Sequence, residues 1–324
     1  MRIGFLPWVS GTLALGLFVF LRNVGAQSLP ADYAQHFSYD KTAALDEQTI
    51  GPEGFGGSSG VSIQNFSYAG AGGARVPASL VTPKEKGKHP AILWGHWLMP
   101  GSSMANRQEF RDEAILLARC GVVSLLIDAP QARPGFKPAP NPALMTEQVI
   151  DLKRAVDYLS GMSDVDSTRI GYVGHSWDSG AGAILDAVDK RVAAFVFMSG
   201  PQSNLEYVLH SDSPRMVEAR KKVDVAKVEQ QMRANTWADP GAYAPFMGPA
   251  PALLQYGLKD EEWVPIADAK NFVAGAAGPK EVKFYDADHA LNADARRDRI
   301  AFLARQLKFA PPSASVIASV PQIR

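Results

Sequence analysis

Apolar and polar residues alternate in two neighbouring stretches, 61–68 and 75–81, which a turn rich in glycine and alanine connects. Strict alternation points every second side chain to one face of a strand, so this pattern predicts an antiparallel hairpin. Further along the chain the apolar runs become short and continuous, as is typical of strands that are buried on both faces. These runs cover 91–94, 122–127, 170–173, 193–198, 252–256 and 282–285.

Segments with helical periodicity separate the continuous apolar runs. In the stretch 143–159, Val149, Leu152, Val156 and Leu159 recur at intervals of three and four residues, which places them on one face of a helix. Strands that alternate with helices predict an α/β fold with a mostly parallel sheet, right-handed crossovers and flanking helices. The other predicted helices are 107–120, 181–188, 266–274 and 297–307.

The alternation of strands and helices is interrupted between residues 201 and 249. This stretch contains two helix-like pieces, for which Ser213-Pro214 and Asp224 are suitable starting points. It also carries apolar and aromatic side chains that no predicted strand contains. We interpret 201–249 as a helical insertion that covers one edge of the sheet as a partial lid; the alternative is a solvated helical connector.

Two further segments flank the predicted domain, which covers 61–309. Residues 27–60 are polar and end in a run dense in glycine, so the pattern predicts an extended segment without long regular elements. Residues 310–324 contain three prolines and no periodic apolar pattern. We therefore predict that 310–324 forms a flexible tail.

Residues 1–26 have the pattern of a secretory signal peptide. Arg2 gives a basic start, an apolar stretch follows, and Val24-Gly25-Ala26 places small residues where a signal peptidase cleaves. The expected location is therefore secreted or periplasmic. The apolar stretch also approaches the length of a membrane-spanning helix, so a retained anchor that attaches the protein to a membrane is the alternative.

Composition excludes several classes of partner and site. The 33 basic residues equal the 33 acidic ones, whereas a nucleic-acid partner requires a basic face. The single cysteine, Cys120, excludes an intramolecular disulfide and a cysteine-rich zinc site. The histidines and aspartates form no cluster with the spacing of metal ligands, so we expect no metal site.

The strongest chemical signal is the segment Gly174-His175-Ser176-Trp177-Asp178. It follows a predicted buried strand and precedes a helix of small residues, so Ser176 would stand at the tip of a tight strand-to-helix turn. Such a turn lifts a serine oxygen above the sheet, and the helix N-terminus supplies N–H groups for a developing oxyanion. We predict that Ser176 is a nucleophile and not a structural turn serine. Asp178 departs from the Gly-x-Ser-x-Gly pattern, in which the last position is glycine.

A serine is an effective nucleophile only when a positioned base takes its proton. Among the six histidines, His289 is the expected base, because it follows the last predicted strand and gives the chain order serine, acid, histidine. The acid should follow the preceding strand, where Asp260 is our choice. Neighbouring acids that could replace it are Glu261 and Glu262, whereas Asp286 and Asp288 are interpreted as solvated loop charges.

Two backbone N–H groups are expected to bind the oxyanion. One belongs to Trp177, the residue after the nucleophile, and the other belongs to the loop after the strand 91–94. In that loop Leu98 is our first candidate and Trp97 our second. Any residue type can supply a backbone N–H, so the side chains do not indicate which of the two donates.

These residues together resemble the α/β-hydrolase superfamily, and within it the dienelactone-hydrolase-like and acetyl-xylan-esterase-like exported enzymes. The resemblance runs from about residue 61 to residue 307. It rests on the segment around Ser176, on Gly257-Leu258-Lys259-Asp260 and on Asp288-His289. It implies the α/β-hydrolase fold and a serine hydrolase without a cofactor. In the oxyanion loop, Trp97 stands where glycine is usual.

The resulting hypothesis is an exported hydrolase that cleaves a small-molecule carboxylic ester through an acyl-enzyme intermediate. A peptidase or an acyltransferase could use the same triad, and a non-catalytic binding module on a hydrolase fold is an alternative of a different class. The insertion would shape the substrate pocket, for which we name Trp237, Tyr243 and Phe246. Such a pocket would favour apolar or aromatic esters over charged ones.

Overall fold

The computed structural model describes residues 28–51, 60–139 and 141–323. Within these residues, nine strands form a single sheet. The strands are β1 (Gln48–Thr49), β2 (Val61–Ala69), β3 (Arg75–Pro83), β4 (His89–Gly95), β5 (Val123–Ile127), β6 (Val165–His175), β7 (Ala194–Met198), β8 (Ala252–Gly257) and β9 (Lys280–Tyr285). Their order across the sheet is β1-β2-β3-β5-β4-β6-β7-β8-β9.

The sheet joins an antiparallel edge to a parallel remainder. The predicted hairpin is present as β2 and β3, which pair antiparallel along their whole length, and β3 also pairs antiparallel with β5. From β5 onward every neighbouring pair is parallel. The carboxyl ends of β4, β6, β7, β8 and β9 therefore meet at one edge, where ligand sites of open parallel sheets form.

Helices cover both faces of the sheet. They are α1 (Ala31–Gln35), α2 (Arg111–Ala118), α3 (Asn141–Gly161), α4 (Trp177–Val188), α5 (Asn204–His210), α6 (Pro214–Arg220), α7 (Val225–Arg233), α8 (Ile266–Gly275), α9 (Ala293–Leu307) and α10 (Ala314–Ala318). The predicted helix 107–120 begins only at Arg111, because the preceding ten residues form turns. One of those turn residues, Glu109, belongs to the site described below.

Strand β4 shows how the two cores are divided. Ala91 and Leu93 belong to the apolar cluster that α3, α4 and α8 complete. Ile92 and Trp94 point the other way, into the cluster completed by α2, α9 and α10. A strand buried on both faces needs apolar residues at every position, which is why its sequence lacks alternation.

The insertion between β7 and β8 forms three helices, α5, α6 and α7. Pro214 begins α6, where its missing N–H costs nothing. Asp224 caps α7 by accepting a hydrogen bond from the Lys227 N–H at 3.2 Å. Helix α5, capped by Ser203, is an additional element that the sequence pattern did not reveal.

The prediction of a flexible tail is wrong for residues 310–323. Ile317 and Ile323 are 4% and 5% exposed and belong to the core cluster beside α9. Arg296 of α9 donates hydrogen bonds to the carbonyl oxygens of Val320 and Pro321 at 2.6 and 2.7 Å. The segment is ordered by these long-range contacts, which its proline-rich local sequence does not indicate.

The N-terminal part of the chain is described from residue 28 onward. The predicted signal peptide, residues 1–26, lies outside the described residues. In the segment 28–51, Phe37 is fully buried, and its carbonyl oxygen accepts a hydrogen bond from Lys153 of α3 at 2.7 Å. No helix among the described residues has both the length and the apolar composition needed to cross a bilayer.

The packing of α10 predicts a difference between two neighbouring residues. Ile317→Ala should lower the free energy of unfolding by about 2–4 kcal/mol, because it leaves a cavity in the core. Val316, which is 43% exposed, is the matched control, and Val316→Ala should change the stability by less than about 0.5 kcal/mol. Urea unfolding of the two variants measures both effects, and equal stability of the two would mean that the segment is not packed.

Candidate active site

Ser176 lies at the junction of β6 and α4 in a strained backbone conformation, with φ 55° and ψ −110°. A residue other than glycine costs about 1–3 kcal/mol in such a region, so neighbouring contacts must hold it there. The Ser176 N–H donates to the Met198 carbonyl oxygen at 2.8 Å. The Ser179 hydroxyl donates to the carbonyl oxygens of Gly174 and Met198 at 2.8 and 2.9 Å. These bonds tie the turn to β7 and keep the serine raised above the sheet.

Asp178 occupies the position where the usual elbow pattern has glycine, and it is fully buried. Gly95 on β4 makes room for its side chain, since a Cβ atom on Gly95 would lie 2.6 Å from the Asp178 Cβ. Gly174 on β6 makes room for the helix backbone, since a Cβ atom there would lie 2.4 Å from the Asp178 carbonyl oxygen. The close approach of strand and helix is therefore preserved although an aspartate occupies this position.

The Asp178 carboxyl is enclosed by protein, and a side-chain amide is hydrogen-bonded to it. Its Oδ1 lies 2.5 Å from Gln148 Nε2. Burial raises the pKa of Asp178 to about 8, although the Gln148 hydrogen bond acts in the opposite direction. The carboxyl is therefore mainly neutral at pH 7, which removes the cost of placing a charge under the elbow.

The structure brings His289 and Asp260 into contact at the carboxyl edge of the sheet. His289 Nδ1 lies 2.5 Å from Asp260 Oδ2, and the two residues are 5% and 4% exposed. The second carboxylate oxygen, Oδ1, accepts the Trp263 N–H at 3.1 Å. The Nδ1 proton is thus directed to the acid, which leaves Nε2 of His289 as the basic nitrogen.

The rival acids do not make this contact. Glu261 and Glu262 follow Asp260 in the turn and are exposed. Asp286 forms an exposed ion pair with Lys259 at 2.8 Å, and Asp288 accepts the Ala290 N–H at 3.0 Å. Among the acids considered from sequence, Asp260 is therefore the partner of His289.

Ser176 and His289 line one cavity of about 200 Å³. Leu98, Met145 and Trp263 form part of its apolar wall. Burial lowers the pKa of His289, an effect that its hydrogen bond to the Asp260 carboxylate opposes. The cavity thus combines a raised serine hydroxyl with an imidazole whose Nδ1 is fixed by a carboxylate.

The candidate oxyanion donors differ in what they bind. The Trp97 N–H donates to Glu109 Oε2 at 2.7 Å, so it is not available to a ligand, and its prediction as a donor is not supported. Leu98 lines the cavity, and its N–H donates no hydrogen bond to any other part of the described chain. Trp177 also lines the cavity and stands at the first position of α4, where N–H groups have no partner within the helix.

Two further histidines near the site have structural bonds on both ring nitrogens. His96 Nδ1 donates to the Trp97 carbonyl oxygen at 2.6 Å, and its Nε2 accepts the Ala129 N–H at 2.9 Å. His175 contacts Glu109 and the His289 carbonyl oxygen. In residues 28–51, 60–139 and 141–323, no group of three or more His, Cys, Asp and Glu side chains is placed to hold a metal ion.

No protein-family model matches the chain, and no curated protein matches it. Several solved structures, in contrast, are similar to the chain. An acetyl xylan esterase from Paenibacillus sp. R4 is 18% identical with a TM-score of 0.67, covering 86% of this chain and 100% of that one. Acetyl xylan esterase 1 from Thermoanaerobacterium sp. JW/SL YS485 is 18% identical with a TM-score of 0.68, over 86% and 95% of the two chains. A protein assigned as a dienelactone hydrolase from Klebsiella pneumoniae is 17% identical, with a TM-score of 0.54 over 77% and 99%.

The chain has the α/β-hydrolase fold. This confirms the fold predicted from the sequence, including the mostly parallel sheet and its flanking helices. In this fold the nucleophile, the acid and the base follow three different strands, and Ser176, Asp260 and His289 follow β6, β8 and β9 in that order.

The residues predicted for the substrate pocket lie elsewhere. Trp237 stacks on His36 with ring centroids 3.7 Å apart. Tyr243 is fully buried and donates its hydroxyl to the Trp237 carbonyl oxygen at 2.6 Å. Phe246 packs against the core cluster of α3, α4 and α8. These three side chains attach the insertion to the domain, and they are not among the residues that line the cavity of Ser176 and His289.

A larger groove of about 900 Å³ adjoins the cavity. Trp177, Asn204, Tyr207 and Trp263 line both spaces, so the two lie side by side. Helices α5, α6 and α7 supply its apolar floor through Leu205, Val208, Met216, Val228 and Met232. The sequence pointed to the insertion, but it did not identify Trp263 or the helix faces that turn inward.

The neutral state of Asp178 predicts a pH-dependent stability. Because folding raises its pKa above the ordinary value of about 3.9, the folded state keeps a proton that the unfolded state releases. The contribution of Asp178 is therefore complete below about pH 4 and is lost as the pH rises towards 8. Asp178→Asn, which is neutral throughout, should gain stability relative to wild type between pH 5 and pH 8 in urea unfolding.

Asp166, a partly exposed carboxylate on β6, is the control for this experiment. Hydrogen bonds from Thr168 and Arg169 lower its pKa to about 2, so it is ionised in both states above pH 5. Asp166→Asn should give a stability difference from wild type that is constant between pH 5 and pH 8. The same constant difference for Asp178→Asn would contradict a neutral buried carboxyl.

Proposed function

We propose that the protein is a serine hydrolase that cleaves carboxylic esters through an acyl-enzyme intermediate. The observation that carries the proposal is the strained turn at Ser176, which opens into the same cavity as the His289–Asp260 pair. The likeness of the fold to acetyl xylan esterases and other esterases supports ester hydrolysis. The pattern of residues 1–26 supports an exported enzyme.

In the proposed first half-reaction, the Ser176 hydroxyl oxygen attacks the acyl carbon while Nε2 of His289 takes its proton. Asp260 accepts the Nδ1–H, which holds the required tautomer and stabilises the imidazolium that forms. The negative charge that develops on the carbonyl oxygen receives N–H bonds from Trp177 and Leu98. Collapse of the tetrahedral intermediate breaks the ester C–O bond, and His289 gives its proton to the departing alcohol.

In the second half-reaction a water molecule attacks the acyl-enzyme. His289 removes a proton from that water, the same two N–H groups receive the oxyanion, and the proton returns to the Ser176 oxygen as the acid leaves. The lowered pKa of His289 is useful in both steps, because the base stays neutral to a lower pH than an exposed histidine would.

We further propose that the groove beside the cavity binds the apolar part of the ester. Its wall comes from α5, α6 and α7. The Tyr207 hydroxyl of α5 and the Ser213 hydroxyl before α6 donate to the Glu262 carbonyl oxygen at 2.5 and 2.7 Å, which holds these helices to the domain. The insertion would then act as a partial lid. Its inward apolar faces support a preference for apolar or aromatic esters over charged ones.

The nucleophile is tested by covalent labelling. A fluorophosphonate probe should label the wild-type protein and fail to label Ser176→Ala. His289→Ala should lower kcat for a p-nitrophenyl ester by at least about 10³-fold with the fold intact, because the base is lost. His210→Ala, on the exposed end of α5, is the matched control and should retain wild-type kcat.

Equal labelling of wild type and Ser176→Ala would overturn the assignment. Assaying anilides, peptides and acceptor alcohols beside the esters separates the related activities. Faster cleavage of peptides, or transfer to an alcohol in preference to water, would replace ester hydrolysis with a peptidase or an acyltransferase. Absence of labelling together with ligand binding in the groove would favour a binding module.

The groove is tested by its effect on substrate ranking. Leu205→Ala and Met216→Ala should lower kcat/KM for a long-chain or aromatic ester by about tenfold, because a lost apolar contact is worth about 1–2 kcal/mol. The same variants should leave kcat/KM for an acetate ester nearly unchanged. Phe246→Ala is the control within the insertion, and it should lower the thermal stability without changing the ranking. An unchanged ranking in Leu205→Ala and Met216→Ala would reject the groove as a substrate site.

A further inference from the structure

A second histidine–carboxylate pair lies behind the catalytic cavity. His175 Nδ1 is 2.5 Å from Glu109 Oε1, and neither side chain is exposed to solvent. Glu109 comes from the turns before α2, whereas His175 is the residue before the nucleophile on β6. The pair takes no part in the proposed proton transfer, since both side chains are fully enclosed by the protein.

The remaining polar atoms of this pair reach two other catalytic loops. Glu109 Oε2 accepts the Trp97 N–H at 2.7 Å. His175 Nε2 lies 2.9 Å from the His289 carbonyl oxygen, and because a carbonyl oxygen only accepts, Nε2 carries a proton and donates it. The pair therefore connects the oxyanion loop, the nucleophile turn and the loop of the base within three hydrogen bonds.

Ring stacking and a further hydroxyl reinforce the same connection. The Trp97 and His175 rings stack with centroids 5.0 Å apart, and the His175 and His289 rings stack at 5.4 Å. The Ser199 hydroxyl donates to the His289 carbonyl oxygen at 2.6 Å. The backbone of the base is thus held by two donors, one of which is His175.

We propose that Glu109 and His175 are positioning residues that align the Leu98 N–H and His289 for the reaction. The proposal rests on the proposed ester hydrolysis at Ser176. By binding the Trp97 N–H, Glu109 fixes the peptide unit between His96 and Trp97. The next N–H in the chain, that of Leu98, is then the one left to the cavity. By binding the His289 carbonyl, His175 fixes the base at its backbone, while Asp260 fixes it at its ring. Asp260 therefore positions the ring of the base, and Glu109 positions the oxyanion loop and His175.

The chemistry of the pair distinguishes two substitutions of Glu109. In Glu109→Gln, the amide oxygen can still accept the Trp97 N–H, and the amide N–H can donate to Nδ1 of His175 while Nε2 keeps its proton. Its kcat should stay within about tenfold of wild type. Glu109→Leu removes both bonds, so kcat should fall about 10²-fold with KM changed less than about threefold, as expected when an oxyanion donor is displaced.

His175→Phe tests the other member of the pair. It keeps an aromatic ring between Trp97 and His289 but loses both hydrogen bonds, so kcat should fall by a similar factor. In the double variant with Glu109→Leu the losses should not multiply, because each single change breaks the same network. Losses that multiply would show that the two residues act separately.

Two controls separate positioning from mere stability. First, each kcat is divided by the concentration of active serine, which fluorophosphonate titration measures. Second, Glu113→Gln changes a buried carboxylate that lies away from the site and is paired with Arg299. Glu113→Gln should lower stability at unchanged kcat. If Glu109→Leu likewise loses stability but keeps the wild-type kcat per active serine, the pair is only structural.

Hydrogen exchange tests the arrangement without using catalysis. Amide exchange of residues 96–99 and 288–290 should accelerate in Glu109→Leu and stay near the wild-type rate in Glu109→Gln. Unchanged exchange in Glu109→Leu would overturn the proposal even if the wild-type enzyme hydrolyses esters. Conversely, accelerated exchange in a protein that neither labels nor hydrolyses esters would reject the proposed function and retain the connection between the loops.

Discussion

The positive φ of Ser176 is the constraint on which the site depends. A strained turn persists only where its surroundings determine it. Here the Ser176 N–H bonds to Met198 of β7, and the Ser179 hydroxyl bonds to Met198 and to Gly174 of β6. The same turn sets the start of α4, so the helix N-terminus, the raised hydroxyl and the cavity wall are all placed by one local geometry. Strand β7, which pairs in parallel with β6, supplies the Met198 acceptor.

Asp178 illustrates how such a turn tolerates an unusual residue. A side chain bulkier than that of glycine at the last elbow position requires space, and its carboxyl group loses its contact with water. The space is supplied by Gly95 on β4, and the loss of water is met by a raised pKa that leaves the carboxyl neutral. The departure from the common pattern is therefore balanced by a residue on another strand, which a comparison of the five elbow residues would not detect.

Several loops that are far apart in the chain lie together at the carboxyl edge of the sheet. Buried polar contacts hold them together, namely Asp260 with His289, Glu109 with His175, and Ser199 with the His289 carbonyl oxygen. Buried groups of this kind must be paired, because an unsatisfied polar group in the interior is costly. The large apolar groove lies outside this rigid region, on helices that one insertion contributes.

Sequence pattern determined the strands, most helices, the strand-to-helix turn at Ser176 and the chain order of Ser176, Asp260 and His289, because period, chain order and turn chemistry are local properties. It failed where contacts between distant segments decide the outcome. Residues 310–323 are ordered by Arg296 and a core cluster, and Trp237 and Tyr243 face the segment 28–51 and not the cavity. Glu109 had no signal of its own, since a turn residue gains a role only when folding places it beside His175 and Trp97. Tertiary structure decides which side of a helix or turn faces the site, because that direction follows from packing and not from local periodicity.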